Sequence, residues 1–372
     1  MENEIEYKDT LEKFLFTKAY NKSLPIYGVL ELTPLCNMNC DMCYVRLSIN
    51  EMNKKGKLRS LVEWISLADE MKSNGVLFIL LTGGEPLLYP GFKELYLHLI
   101  KIGMIVTVNT NGTLIDDEWI QFFIQHRPRR INITLYGDDE KTYEDLCHYG
   151  KGFNKVINAL KMLKKYDIPV KINGSLTKIN MHCADGILDI GEQLDIPVRI
   201  DTYMCSGVRE RNKPFAFQNR MDPITAARTR MKVLHREMGD EVFFTSCKYE
   251  LDKINYTDKG ENQPYSMKCK AGRCSFTINW QGKMRPCVIM TEPSIDVFET
   301  GFKESWKILV EKTRSIKGGS KCNQCKLRNY CNTCPAYALL EEGKYDSVPR
   351  YICEYTKESI EVMKNELCKT SK

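Results

Sequence analysis

The sequence contains no run approaching the roughly 20 consecutive apolar residues that span a bilayer, so a membrane is not an expected partner. Its first residues, MENEIEYKDTLEKFLF, are charged throughout and lack the basic-then-apolar order of a secretory signal. A cytoplasmic location is therefore expected. Charge of one sign is also missing: 54 Lys and Arg stand interspersed with 48 Asp and Glu, for a net +6 over 372 residues. That balance makes no case for nucleic acid. The short basic run Arg127-Pro-Arg-Arg130 reads as a solvated turn before a strand. Histidine is scarce at 5 residues, and His148 and His182 have no metal-ligand spacing. With 43% apolar and 27% charged residues the chain is not a disordered tail. Its length suits one large α/β domain with a smaller appendage.

Cysteine, by contrast, is abundant, with 16 residues. A chain expected in the cytosol keeps its thiols reduced, which argues against a disulfide framework. The cysteines also cluster as metal ligands do. Three fall at positions 36, 40 and 43, and eight lie between 269 and 353. Cys147, Cys183, Cys205, Cys247 and Cys368 are scattered and read as small buried hydrophobes or idle thiols. Cys205 is the one of functional interest.

Residues 1–25 read as a lead-in helix. An apolar run at Ile26–Leu32 then opens a repeat of strand and helix. Further strands are expected at Val76–Leu81, Ile105–Asn109, Arg130–Leu135, Pro169–Leu176 and Val198–Tyr203, all of them as buried strands. Amphipathic helices are expected near 91–101, 116–125, 153–166 and 183–194. A capping box at Ser60-Leu-Val-Glu63 starts another helix, which ends at Asn74-Gly75. The expected fold is α/β: a partial (β/α)6 TIM-like barrel over 26–205. A linker helix region covers 206–238, and a small cysteine-rich domain covers 239–372. That last region has short strands and little apolar material, as if held together by metal.

After the first strand comes Cys36-Asn-Met-Asn-Cys40-Asp-Met-Cys43-Tyr44. Three thiolates at this spacing can hold three irons of a [4Fe–4S] cube and leave the fourth open. A zinc site short of one ligand would read the same way. The second strand ends in Thr82-Gly83-Gly84-Glu85-Pro86, where two glycines let the backbone approach a ligand and a carboxylate can meet an amine. Both motifs follow successive strands of an expected barrel, at the end where active sites form.

With these motifs at these offsets, residues 26–205 resemble the radical SAM superfamily. The resemblance implies that the open iron chelates S-adenosylmethionine. Gly83, Gly84 and Glu85 would hold the methionine amine, and the Tyr44 backbone would meet the adenine. Thr134 stands where relatives usually carry a serine that contacts the cofactor, and Asn109 and Asn111 are further candidates. The residue before the third cysteine is commonly aromatic in the family and is Met42 here. The implied chemistry is one-electron cleavage of the sulfonium to methionine and a 5′-deoxyadenosyl radical, which abstracts a substrate hydrogen.

The C-terminal cysteines run Cys269-x4-Cys274-x7-Gly282-x4-Cys287, then Cys322-x2-Cys325-x5-Cys331-x2-Cys334, then Cys353. Alone, the paired CxxC units suggest a zinc ribbon. Behind a radical SAM barrel the pattern resembles the SPASM extension. That implies two auxiliary [4Fe–4S] clusters: one on Cys269, Cys274, Cys287 and Cys334, the other on Cys322, Cys325, Cys331 and Cys353. The family has three residues before the position of Cys334, and this chain has two.

The resemblance implies an oxidoreductase that modifies a ribosomally made peptide by crosslinking, thioether formation or epimerisation. Such an enzyme draws electrons from a donor such as flavodoxin or ferredoxin. The leader-binding winged domain of many peptide maturases is not expected ahead of a strand that begins at residue 26, which leaves substrate capture to the barrel, the small domain or a separate leader-binding protein. Sulfatase maturases carry an aspartate base after the third ligand of the first auxiliary cluster; here that residue is Val288, which cannot take a proton. Haem- or quinone-type cofactor synthesis is the alternative within the superfamily, and a zinc-ribbon binding protein the alternative outside it. Asp201, Cys205, Arg209 and Arg211 leave the sixth strand at the active-site end and are the substrate-side candidates, the two arginines as clamps for a carboxylate.

Overall fold

The computed structural model describes residues 2–204, 210–211, 219–255 and 265–370. Cys205 and Arg209 therefore lie outside the described residues. Six parallel strands pair in chain order: β1 (Tyr27–Glu31), β2 (Phe78–Thr82), β3 (Ile105–Thr110), β4 (Arg130–Leu135), β5 (Val170–Ser175) and β6 (Val198–Asp201). Each starts within two residues of its expected position. The sheet is open: β1 and β6 do not pair, and the order is that of a partial barrel.

β1 is buried on both faces, as its apolar run suggests, but the later strands are not. In β3, β4 and β5 burial alternates strictly. Val106, Val108, Ile131, Ile133, Leu135 and Ile172 are buried toward the outer helices. Asn109, Asn132, Thr134, Lys171, Asn173 and Ser175 point the other way and line a cavity. Period-2 alternation thus separates an apolar wall from a polar lumen.

α1 (Glu2–Lys22) precedes the strands, and between them lie α2 (Ile49–Lys55), α3 (Leu61–Ser73), α4 (Phe92–Lys101), α5 (Asp117–Gln125), α6 (Glu140–Cys147), α7 (Gly152–Lys165) and α8 (Ala184–Leu194). The capping box of α3 is formed: Ser60 N–H donates to Glu63 at 2.7 Å and Glu63 N–H donates to the Ser60 hydroxyl at 3.3 Å. Trp64, Leu67, Ala68 and Met71 form its buried face. α1 packs Leu15, Phe16 and Ala19 on Ile26 and Phe78 at the base of β1 and β2. The basic run before β4 divides its labour. Arg127 pairs with Asp167, Arg129 pairs with Glu12 of α1 at 2.6 Å, and Arg130 faces the lumen.

The region after the barrel departs most from expectation. The linker helix runs to Met238, and a second helix follows after the non-helical Gly239. Together they are α9 (Pro223–Asn255), broken at Gly239, whose φ of 71° a side chain disfavours. α10 (Phe302–Ser315), α11 (Pro335–Glu342) and α12 (Arg350–Thr370) add more helix. α9 and α12 bury Met231, Phe243, Cys247, Ile360 and Met363 between them, an apolar core of their own. The short strands are β7 (Tyr265–Ser266), β8 (Ser275–Ile278), β9 (Lys283–Arg285), β10 (Ile295–Asp296) and β11 (Lys317–Gly318). β8 pairs parallel with β1, so the C-terminal strands extend the barrel sheet to nine. Gly28 makes room for this join: a Cβ there would lie 2.7 Å from the Phe276 ring of β8. No described helix is long and apolar enough to cross a membrane.

Candidate functional site

The loop after β1 carries Cys36, Cys40 and Cys43, and neighbouring elements hold it from three sides. The first is the end of β2. Gly84 N–H donates to Thr33 O at 2.7 Å and Glu85 N–H donates to Leu35 O at 2.8 Å. A Cβ on Gly83 would sit 2.4 Å from Thr33 O, and one on Gly84 2.3 Å from Leu35 O. The two glycines thus let one backbone loop meet another, where their composition alone points to a ligand. The second support is the end of β3, where Asn111 Nδ2 donates to Asn37 Oδ1 at 2.9 Å and approaches Cys36 Sγ at 3.6 Å. The third is the C-terminus of α6: Leu146 O and Cys147 O accept from Asp41 N–H and Asn39 N–H, each at 3.0 Å.

Two of the candidate residues take unexpected places. Glu85 is 0% exposed and lies behind the cavity wall. Its carboxylate accepts from the Thr110 hydroxyl at 2.7 Å, Asn111 N–H at 2.8 Å and Leu87 N–H at 3.2 Å. Burial raises its pKa to about 7 against those three donors. It therefore ties β3 to the β2 loop, in place of the direct contact with a ligand amine that its motif suggests. Arg211 likewise does not line the cavity. It donates to Cys40 O at 3.0 Å and Asn39 Oδ1 at 3.3 Å, bracing the cysteine loop.

The other candidates converge. Cys36, Cys40, Cys43, Tyr44, Gly83, Gly84, Asn109, Asn111, Thr134 and Asp201 share one cavity of about 560 Å³. Asn173 on β5 joins them, whereas Glu31 is buried in β1. Met38 N–H donates to Cys36 Sγ at 3.4 Å and Arg46 N–H to Cys43 Sγ at 3.3 Å, as suits sulfur carrying negative charge. Burial pushes the Cys36 thiol up to about 12 and raises Cys43 as well. Ionising these thiols needs a positive partner, which iron supplies. Among the described residues no three His, Cys, Asp or Glu side chains converge on a single ion. A cube places each thiolate on its own iron and needs no such convergence. The donor set fits a cluster.

Sequence reasoning missed the role of Cys147. It is fully buried on α6, and its hydrogen bond to Cys40 is the largest influence holding that thiol's pKa below the ordinary value. No spacing rule links positions 40 and 147; only the docking of α6 does. The lumen residues Lys171, Arg199 and Ser175 were missed because the strands read as buried on both sides. Polar residues alternating along β4–β6 were the available signal.

A second cavity, about 590 Å³, adjoins the first through Met42, Tyr44, Ser175, Arg199, Asp201 and Met204. Its far wall is Val288, Tyr337 and Tyr355 from the C-terminal region. Arg220 fastens this seam: it pairs with Glu341 at 2.8 Å and lies 3.2 Å over the Tyr351 ring.

The C-terminal cysteines influence one another in two sets. Cys353 is raised first by burial and then by Cys331, Cys322 and Cys325. Cys287 is raised by burial and then by Cys334 and Cys269, and Cys274 feels Cys269. Cys274 also packs against Ala19, Ile26 and Phe78 beneath α1. Between the sets sits Arg328, stacked 4.1 Å from the Tyr265 ring, its charge lowering both Cys322 and Cys334.

Residues 30–189 match the family model of the radical SAM superfamily. They form a radical SAM domain. Among curated proteins, the chain is 23% identical over 327 residues to the AdoMet-dependent heme synthase of Methanosarcina barkeri, covering 85% of this chain and 92% of that one. It is 24% identical over 352 residues to the antilisterial bacteriocin subtilosin biosynthesis protein AlbA of Bacillus subtilis, covering 90% and 72%. Among solved structures, Streptococcus suis SuiB bound to its precursor peptide SuiA superposes with a TM-score of 0.66 at 19% identity, over 93% of this chain and 81% of that one. That likeness is one of fold.

Proposed function

We propose that this protein is a radical SAM oxidoreductase that modifies a ribosomally made peptide. The observation that carries the reading is the single cavity where the three loop cysteines meet Gly83 and Gly84 inside the radical SAM domain. Cys36, Cys40 and Cys43 would hold a [4Fe–4S] cluster and leave one iron for S-adenosylmethionine. When bound, the pair would supply one-electron cleavage of the sulfonium and hydrogen-atom abstraction from substrate. The chain's own part is to orient and to enclose. The Gly83–Gly84 backbone, the Tyr44 backbone, Asn109, Asn111 and Thr134 contact the cofactor, while Glu85 fixes the β3 end that carries Asn109 and Asn111. Met42 and Met204 wall the cavity against water.

In this reading the C-terminal region is a SPASM-type domain. Cys269, Cys274, Cys287 and Cys334 hold one auxiliary cluster, and Cys322, Cys325, Cys331 and Cys353 hold a second. A flavodoxin or ferredoxin supplies electrons in the cytoplasm, and a separate protein presents the leader. The similarity to a bacteriocin biosynthesis protein, over 90% of this chain and 72% of that one, and the fold shared with SuiB bound to a precursor peptide support a peptide substrate. The second reading is a tetrapyrrole-type substrate, favoured by the extent of the similarity to the heme synthase.

Counting iron, sulfide and zinc after anaerobic reconstitution tests the cofactor inventory. About twelve irons and twelve sulfides per chain are expected, with about four of each lost from a Cys36/Cys40/Cys43→Ala variant. About four irons with one or two zincs would remove the auxiliary clusters from the reading. Mass spectrometry of candidate precursor peptides, with loss of two mass units for a crosslink, separates peptide from tetrapyrrole.

A further inference from the structure

The barrel lumen carries positive charge that none of the roles above uses. Arg130 opens β4, Lys171 is the second residue of β5 and Arg199 the second of β6. All three line the same cavity as the cysteine loop. They sit at its opposite end: Ser175 lies four residues above Lys171, a rise of about 13 Å. α1 packs its apolar face at the base of β1 and β2, and its Glu12 reaches Arg129 just before β4.

The local charges do not balance. Arg199 pairs with Asp201 at 3.3 Å, and Arg230 of α9 lies 3.9 Å from Glu237 while donating to Ile200 O at 2.7 Å. Among the described residues Arg130 donates to the neutral Asn132 Oδ1, at 2.9 Å, and the nearby Glu12 of α1, which also acts on it, is already paired with Arg129. Lys171 has no hydrogen bond or ion pair among the described residues. Burial lowers its pKa first, then Arg130 and Arg199 on either side; Asp201 and Glu237 oppose them without reaching it. An amine half-buried between two guanidiniums costs free energy that a bound anion offsets. The adjoining cavity, with Tyr203, Tyr337 and Tyr355 on its walls, has the apolar and hydrogen-bonding surface that a peptide chain uses.

We propose that the peptide substrate carries an aspartate or glutamate whose carboxylate reaches down the lumen to Lys171, flanked by Arg130 and Arg199. This rests on the peptide-modifying reading above and adds the substrate's chemical class. A carboxylate accepts from an ammonium and a guanidinium at once, so it matches this end of the cavity.

The test is selection of a random nine-residue peptide library on the reconstituted holoenzyme with S-adenosylmethionine, alongside Lys171→Gln and Lys171→Arg. An acidic position enriched at least tenfold on the unmodified enzyme, lost with Lys171→Gln and retained with Lys171→Arg, is expected. A consensus without Asp or Glu, or one unchanged in Lys171→Gln, overturns the proposal. So does selection of no peptide while glutarate or inorganic phosphate shields Lys171 from reductive methylation, which would make this a small-anion site. Weakened S-adenosylmethionine binding in Lys171→Gln also overturns it, by assigning the amine to the cofactor's own carboxylate. Reductive 5′-deoxyadenosine formation is measured in parallel. Its absence in the unmodified enzyme would sink the radical reading itself, whereas its presence without acid selectivity would sink only this inference.

Discussion

The barrel half and the C-terminal region solve the same problem with different means. In the barrel half, every strand from β3 to β5 sends one face to the helices and one to the lumen, so a single continuous core holds it together. The C-terminal region has no core of that size. Part of its buried apolar surface (Phe276, Ile278, Met284, Val297, Phe302 and Leu309) joins the barrel's core, the rest forms small groups around Met231 and Met267, and β8 borrows its edge from β1. Ser305, Thr313 and Thr333 are also left there with buried hydroxyls lacking a partner among the described residues. Apolar packing suffices for one region, and the other leans on its neighbour and on its thiolates.

The sharpest way to break the comparison is to remove iron. Chelation should strip hydrogen-exchange protection from about 317–353 while β3–β5 keep theirs; equal loss in both would mean one cooperative unit. Next in size is the seam. Arg220 and Glu341 are only 9% and 8% exposed, so Arg220→Ala leaves a buried carboxylate without its cation, with the Tyr203 hydroxyl still donating at 2.9 Å, and should cost about 3–5 kcal/mol by calorimetry. Arg220→Met with Glu341→Met should recover most of that.

Within the barrel half, Glu85 gives a pH signature. Its folded pKa of about 7 exceeds the ordinary 4.5, so the folded state binds the proton more tightly. That contribution is complete below pH 4.5 and is lost as pH rises through 7, about 3 kcal/mol in all for the apoprotein. Denaturant midpoints between pH 4 and 8 should fall accordingly, and Glu85→Gln should flatten the slope. The smallest effect is Ser60→Ala, which removes one half of the α3 capping box for about 1 kcal/mol and should leave the C-terminal region untouched.

The same contrast governs what is legible in advance. Strand positions in the barrel half can be read because apolar runs, glycine turns and capping residues act locally. Helices after Gly239 cannot, because cysteine density draws attention from the apolar residues that pair α9 with α12. The Gly-Gly-Glu motif stands out by its composition, yet Glu85 turns inward because two backbone N–H groups and a hydroxyl from β3 and the β2 loop claim its carboxylate.

By itself the sequence determined the strand–helix alternation, the three-cysteine loop and the glycine pair, since each depends on residues close together in the chain. The tertiary structure alone decided that Cys147 meets Cys40, that Arg211 braces the cysteine loop and that β8 extends the barrel sheet. It alone set Lys171 between two arginines. These are pairings of residues far apart in sequence, and their partners and directions are fixed only when helices and strands dock.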